Sequence, residues 1–315
     1  MKKKILVCPL NWGLGHATRD VPLIQRFLNE GHEVVVACDG FPLKFLRQQF
    51  PDIPTIEYAS YPVRYSRSNT QIFAFIGFLP KMLQCVYKEH LWLSNLLRKE
   101  HFDMVVSDNR FGLWNKHVHS VYVTHQIMIK MPAGLKSLEP MICRIHKKFI
   151  EKYDECWVPD YEKNGGLSGD LAHKYPTPKN AKFVGMMSRF DKLKEITPDC
   201  AYDTVVILSG VEPQRSIFEK KMLGAYEHHR CKTLMLVGKP TKEIEIAQRG
   251  NVTLCSHLPD DKLAAAFIGS KKIICRAGYT TLMDLEVLGC LSKAEFFPTP
   301  GQTEQEYLAE YLTNK

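Results

Sequence analysis

Asn11-Trp12-Gly13-Leu14-Gly15-His16-Ala17-Thr18-Arg19 joins a short apolar run, Lys4–Cys8, to a stretch with helical spacing. Gly13 and Gly15 allow a tight turn, and a helix opening near Ala17 offers unpaired amides to an anion such as a diphosphate. His16 follows the second glycine directly. At the mouth of an interdomain cleft its imidazole can take a proton from a hydroxyl. The plainer alternative is that His16 caps local backbone. Thr18 stands where a dinucleotide-binding loop wants a third glycine, although Asp39 after the second strand keeps a ribose contact open.

Other loops after apolar runs carry polar groups of the same kind. Ser107-Asp108-Asn109-Arg110 and Thr124-His125-Gln126 lie in the first half, where an acceptor is expected. Asp108 either orients His16 or serves as the base itself, ranking second to it. His125 is read as a ligand for an acceptor phosphate. In the second half, Ser209 and Gly210 can donate to a diphosphate and Arg215 can neutralise it, unless Arg215 makes a surface salt bridge instead. Gly278 before a helix gives phosphates close backbone approach and a favourable dipole, and Arg276 offers a planar donor fork. Asp284, on the first turns of that helix, can accept from ribose hydroxyls or be an ordinary solvated residue. Arg189 is read as a positive group at the cleft, with a linker salt bridge as its rival.

The elements that must position these loops alternate in type. Lys4–Cys8, the helical spacing of Val21, Ile24, Phe27 and Leu28, helix-ending Gly31 and Glu33–Cys38 form one β-α-β unit. Further strands are expected at 55–58, 104–107, 121–124 and 155–158, with a helical region over 71–99 broken or kinked at Pro80. Residues 189–203 are charged, contain Pro198 and read as a linker. Strands and helices then resume from Thr204 to Tyr311. The expected organisation is an acceptor-side domain over 1–188, a linker over 189–203 and a nucleotide-binding domain over 204–315. Both domains are α/β, doubly wound and Rossmann-like, and ligands in such sheets bind beyond the carboxyl ends of the strands.

Composition limits the alternatives. The chain has 315 residues with 45% hydrophobic and 24% charged side chains, which fits two globular cores rather than disorder. Ten cysteines are scattered without a Cys-x-x-Cys pair, so neither a disulfide framework nor a structural metal is expected. The formal net charge is +8; residues 1–160 hold 21 basic and 15 acidic side chains, hence +6 of that excess. A basic half suggests an anionic partner, but no aromatic-basic interleaving of an RNA-binding module is visible, and nucleic acid is not expected. The apolar start is too short for an export signal and reads as a buried first strand, so a cytoplasmic protein is expected. Ile72–Leu79, flanked by Lys81, Lys88, Trp92 and Arg98, is either core or a peripheral contact with the inner face of a membrane.

Three of these loops together resemble the GT-B glycosyltransferases of family 28, typified by the enzyme that adds N-acetylglucosamine to the lipid-linked muramyl-peptide precursor. The likeness lies in Gly13-x-Gly15-His16, in Cys275-Arg276-Ala277-Gly278-Tyr279-Thr280-Thr281-Leu282-Met283-Asp284, and in Pro298-Thr299-Pro300-Gly301-Gln302-Thr303-Glu304-Gln305-Glu306. Ser209-Gly210-Val211-Glu212-Pro213-Gln214-Arg215 is similar to the glycine loop of a less characterised branch. The resemblance implies two Rossmann-like domains facing across a cleft and a UDP-sugar donor held by Ser209, Gly210, Arg215, Arg276, Gly278, Thr280, Thr281, Asp284, Gln302 and Gln305. Gln305 would read sugar hydroxyls. Asp284 is shorter than the family's usual Glu, and Ala277 replaces a Ser.

The implied reaction is metal-independent transfer of a hexose, N-acetylglucosamine first, to an acceptor hydroxyl, lipid-linked or in a cell-envelope glycan. No cofactor is implied. Rivals are a UDP-sugar 2-epimerase, a nicotinamide-dependent oxidoreductase, which Thr18 disfavours, and a nucleotide-sugar-binding protein without transfer. The last stays open because the family's final helix crosses back to the first domain, whereas this chain stops at Lys315, soon after the Gln-rich loop, and reads as truncated. Charge around Leu291–Glu295 is also unusual for a strand expected to be apolar throughout.

Overall fold

The computed structural model describes residues 1–59, 71–193, 196–238 and 243–315, which fall into two compact units, Met1–Met187 and Ser188–Lys315. In the first unit β1 (Lys4–Pro9), α1 (Gly15–Asn29), β2 (Glu33–Cys38), α2 (Gly40–Gln49) and β3 (Thr55–Glu57) are followed by α3 (Gln71–Leu97) and β4 (Met104–Asp108). Then come β5 (His119–Val123), α4 (Glu139–Ile150), β6 (Glu155–Val158), α5 (Asp170–His173) and β7 (Ala181–Phe183). The seven strands form one parallel sheet in the order β3-β2-β1-β4-β5-β6-β7.

The strands read as continuous apolar runs because both faces are covered. Ile5 and Val7 pack with Ile24 and Phe27 of α1 and Leu43 and Leu46 of α2, while Leu6 and Cys8 pack with Leu93 of α3 and Leu113. The two-residue period of a strand sends neighbours to opposite layers. Of the break or kink expected at Pro80, the break is absent: Pro80 lies inside α3 without ending it. The stretch 72–79 belongs to this helix, but its side chains lie outside those described, as do residues 60–70. Among the described residues no helix is long and apolar enough to cross a membrane.

The second unit contains β8 (Thr204–Ile207), α6 (Gln214–Tyr226), β9 (Thr233–Leu236), β10 (Ile246–Arg249), β11 (Val252–Cys255), α7 (Asp260–Gly269), β12 (Lys272–Cys275), α8 (Tyr279–Val287), β13 (Ala294–Phe296) and α9 (Thr303–Thr313). Its six strands run in the order β10-β11-β9-β8-β12-β13, all parallel except β10. The charge around Glu295 has a simple cause. β13 is an edge strand, and Glu295 forms an ion pair with Lys272 of the neighbouring β12.

Residues 189–203 are not a free connector. Phe190 is fully buried in the core of the second unit beside Phe267, and the Asp199 amide donates to the Ala265 carbonyl. The charged composition masked this role: Phe190, with Leu193, Ile196 and Tyr202 packed against the same core, and backbone bonds hold the segment.

Candidate functional site

Each sheet reverses its direction of winding once. In the first unit the reversal falls between β1 and β4, and in the second between β8 and β12. At such a point the loops leaving two adjacent parallel strands diverge to opposite faces and open a crevice for ligand. The loops concerned are 10–14 and 109–112 in the first unit, and 208–213 and 276–278 in the second.

In the first unit the register places Pro9 of β1 beside Asp108, the last residue of β4. Gly13 has φ of 105°, with open space where a Cβ would stand, so the turn itself demands glycine. Gly15 begins α1, and His16 stands in its first turn. His16 Nδ1 lies 3.0 Å from Asp108 Oδ2. Arg19, one turn further along α1, donates from Nε to the same Oδ2 at 2.8 Å and from Nη2 to Oδ1. Its Nη1 lies 3.1 Å from His125 Nδ1, in the loop after β5. Three residues singled out in the sequence, His16, Asp108 and His125, are thus joined by a fourth that was not, Arg19.

Burial sets the electrostatics here. Asp108 is fully buried and Arg19 is 1% exposed, whereas the His16 side chain is 13% exposed. Burial alone would raise the Asp108 carboxyl; the charges and hydrogen bonds of Arg19 and His16 outweigh it and hold the group down at about 2. Asp20, also on α1, has neither carboxylate oxygen hydrogen-bonded among the described residues. Burial and the nearby charge of Asp108 push its carboxyl well above the usual range, against the pull of Arg19. Arg110, which the sequence placed on the acceptor side, is buried and donates from Nε to Glu89 at 2.9 Å. Asn11 donates to Asp39 at 3.2 Å, giving that carboxylate a partner within its own unit.

The second unit groups most of the expected donor residues around its own reversal. Ser209 and Gly210 follow β8, and Gly210 has φ of 100°. Gly278 is the residue before α8, with Thr280 and Thr281 half-buried in the first turn. Its φ of −78° suits any residue, and a Cβ there would meet nothing within 4 Å. The protein's own packing therefore does not require this glycine, and the helix N-terminus behind it stays open to close approach. Gln302 precedes α9, half-buried, while the side-chain Oε1 of Gln305 accepts from the Thr299 amide at 2.8 Å and braces its own loop.

The arginines and Asp284 all have partners within their own unit. Arg215 donates to the Val237 carbonyl from Nε and Nη2 at 2.9 and 2.6 Å and pairs with Glu219 at 2.8 Å. Arg189 pairs with Asp260 at 2.9 Å. Arg276 donates to the Phe297, Pro298 and Gln214 carbonyls and stacks 4.2 Å over Phe218. Burial pushes its guanidinium down to about 10. All three make bonds within the protein instead of standing free for phosphate, and Arg276 ties the loops after β12 and β13 to the start of α6. Asp284 is not a solvated helix residue. It is buried and accepts from Ser188 Oγ at 2.6 Å, and burial lifts it to about 6 against the opposing effects of Arg189 and Ser188.

Solved structures match the fold over nearly the whole chain. The glycosyltransferase of kitacinnamycin aligns at 12% identity with a TM-score of 0.57, covering 99% of this chain and 94% of that one. An Arabidopsis thaliana protein complexed with UDP-L-rhamnose aligns at 12% identity and 0.57, covering 99% and 82%. The calicheamicin glycosyltransferase aligns at 12% and 0.55, covering 99% and 84%. The chain has the GT-B fold. At these identities the likeness shows architecture alone. No protein-family model matches the sequence, and no curated protein matches it significantly.

Proposed function

We propose that the protein is a glycosyltransferase of the branch resembling family 28, transferring a hexose from a UDP-sugar to an acceptor hydroxyl. The observation that carries this reading is the 3.0 Å approach of His16 Nδ1 to a fully buried Asp108 at the reversal point of the first sheet. With Nδ1–H held by the carboxylate, Nε2 keeps a lone pair for the proton of an incoming hydroxyl. As that proton moves to His16, the hydroxyl oxygen bonds the anomeric carbon and the bond to the β-phosphate breaks.

Charge gathering on the departing UDP would be met by backbone amides at Gly278 and Gly210. The arginines contribute by fixing those loops, because their hydrogen bonds are made elsewhere. The scheme needs no metal. Ser209, Thr280, Thr281 and Gln302 stand near enough to the loop ends to be the side chains that recognise the donor. N-acetylglucosamine is the first donor to test. A lipid-linked acceptor, at the inner face of a membrane, is the finer form of the proposal, and it rests on motif resemblance.

The test is to incubate the protein with labelled UDP-N-acetylglucosamine and other UDP-hexoses, with and without a panel of hydroxyl acceptors, beside His16→Ala. Acceptor-dependent UDP release that His16→Ala abolishes is the expected result. Sugar altered at C2 without acceptor would mean an epimerase instead, and donor binding without turnover a sugar-nucleotide-binding protein. No binding at millimolar donor would end the proposal.

A further inference from the structure

Two groups make opposite demands on one ring nitrogen. His16 Nδ1 lies 3.0 Å from Asp108 Oδ2 and equally 3.0 Å from Arg19 Nη2. A carboxylate held down at about 2 can only accept, and a guanidinium can only donate. Nδ1 therefore carries either a proton for Asp108 or a lone pair for Arg19. His125 faces the same guanidinium through its own Nδ1, 3.1 Å from Arg19 Nη1. A proton on that nitrogen would set two donors against each other, so the lone pair sits on Nδ1 and the proton on Nε2.

We propose that Arg19 is a positioning residue that divides labour between the two histidines. It fixes His125 as the Nε2–H tautomer, a hydrogen-bond donor that cannot take a proton at Nε2. It also competes with Asp108 for Nδ1 of His16, so that two neutral forms of this ring coexist. In one, Nδ1–H faces Asp108 and Nε2 is free to act as a base. In the other, Nδ1 accepts from Arg19, and Nε2 carries the proton and is idle. A hydroxyl donating to Nε2 selects the first form, which makes the base available in answer to an acceptor. This extension rests on His16 being the base, as proposed above.

The Arg19 side chain is 1% exposed. Among the described residues, the charged and titratable groups bonded to His16 are Arg19 from α1 and Asp108 from β4, with His125 from the loop after β5 reached through Arg19; Asp20 of α1 acts on Asp108 and Arg19. Burial and the charge of Asp108 push Asp20 well above the usual carboxylate range, whereas Arg19 and His16 hold Asp108 down. A single guanidinium thus links one carboxylate and two imidazoles.

The experiment is long-range proton–nitrogen NMR of the histidine rings in 15N-histidine-labelled protein, at a pH where both rings are neutral. His16→Gln and His125→Gln supply the assignments. In the unaltered protein His125 is expected to give the Nε2–H pattern and His16 shifts averaged between tautomers. Arg19→Met should move His16 to the pure Nδ1–H pattern and release His125 from its fixed tautomer. Arg19→Lys, which keeps a cation for Asp108 but lacks the fork, should give the same two changes if the methionine variant does not fold. A His125 ring carrying its proton on Nδ1, or His16 signals that do not respond to either variant, would overturn the proposal. These spectra concern the protein alone. Tautomer changes without sugar transfer would fail only the enzymatic reading, and transfer without tautomer changes would fail only this one.

Discussion

Arg19 Nε and Asp108 Oδ2 meet at 2.8 Å in a fully buried pair that joins α1 to the end of β4. A charge pair in such a place is costly to break and less costly to replace, because removing one partner strands the other's charge out of water.

Asp108→Asn should therefore destabilise the protein by about 3–5 kcal/mol in urea unfolding. The double change Arg19→Met with Asp108→Leu should recover most of that loss. Activity should not follow stability. Both proteins should transfer sugar at least about 100-fold more slowly than the unaltered chain, because neither offers a carboxylate to hold His16. Recovery of activity in the double variant would show that the pair serves folding alone.

His146 gives a separate handle on stability. Its ring is buried against Phe111 and Tyr122, Nδ1 bonds the Ile127 carbonyl at 3.0 Å, and burial pushes it down to about 4 from an ordinary 6.5. A folded-state value below the unfolded one means stability that is present above pH 6.5 and lost as pH falls towards 4. The loss across that window should be about 3 kcal/mol. His146→Phe keeps the ring contacts and removes the titration, so its urea midpoint should fall much less between pH 7 and pH 4. Parallel curves for the two proteins would show that the ring does not titrate in this way.

Asp20 carries the opposite sign. Its folded-state value lies above the unfolded one, so its contribution is most favourable below pH 4 and declines as pH rises. Asp20→Asn keeps the shape without the ionisation. The variant should gain stability relative to the unaltered chain at pH 7, and the gain should shrink as pH approaches 4. A gain independent of pH would mean that the carboxyl is ionised in its buried place.

The unequal legibility of the site in the sequence follows from where each partner comes from. The strand-helix rhythm and both glycine loops were readable because apolar runs and turn residues are local properties of the chain. His16 and Asp108 were readable as partners because both follow strands. Arg19 was not, since a basic residue near the start of a helix shows no partner in the sequence. Only the placement of β4 beside β1 shows that it meets Asp108. The clue available was its i, i+3 spacing from His16, which puts both on one helix face. The partners of Arg215 and Arg276 were not legible for a related reason. Their partners include the carbonyls of Val237, Phe297, Pro298 and Gln214, which no side-chain pattern displays. β10 went unseen because Ile246–Arg249 is a short, exposed, antiparallel edge with no buried face to pattern.

The donor side can be tested without knowing the acceptor. Gly278 and Gly210 both border the reversal point of the second sheet, but they differ in what the fold asks of them. At Gly278 the backbone is ordinary and the space beyond it open, so Gly278→Ala should change stability by no more than about 0.5 kcal/mol. At Gly210, with φ of 100°, alanine is strained and should cost about 1 kcal/mol or more. If a diphosphate docks on the α8 N-terminus, the added methyl at position 278 stands in its path. UDP affinity, measured by calorimetry, should then fall about tenfold or more, which is 1.4 kcal/mol, in a protein that is otherwise intact. Unchanged affinity in Gly278→Ala would move the diphosphate away from α8 while leaving the His16–Asp108 pair untouched.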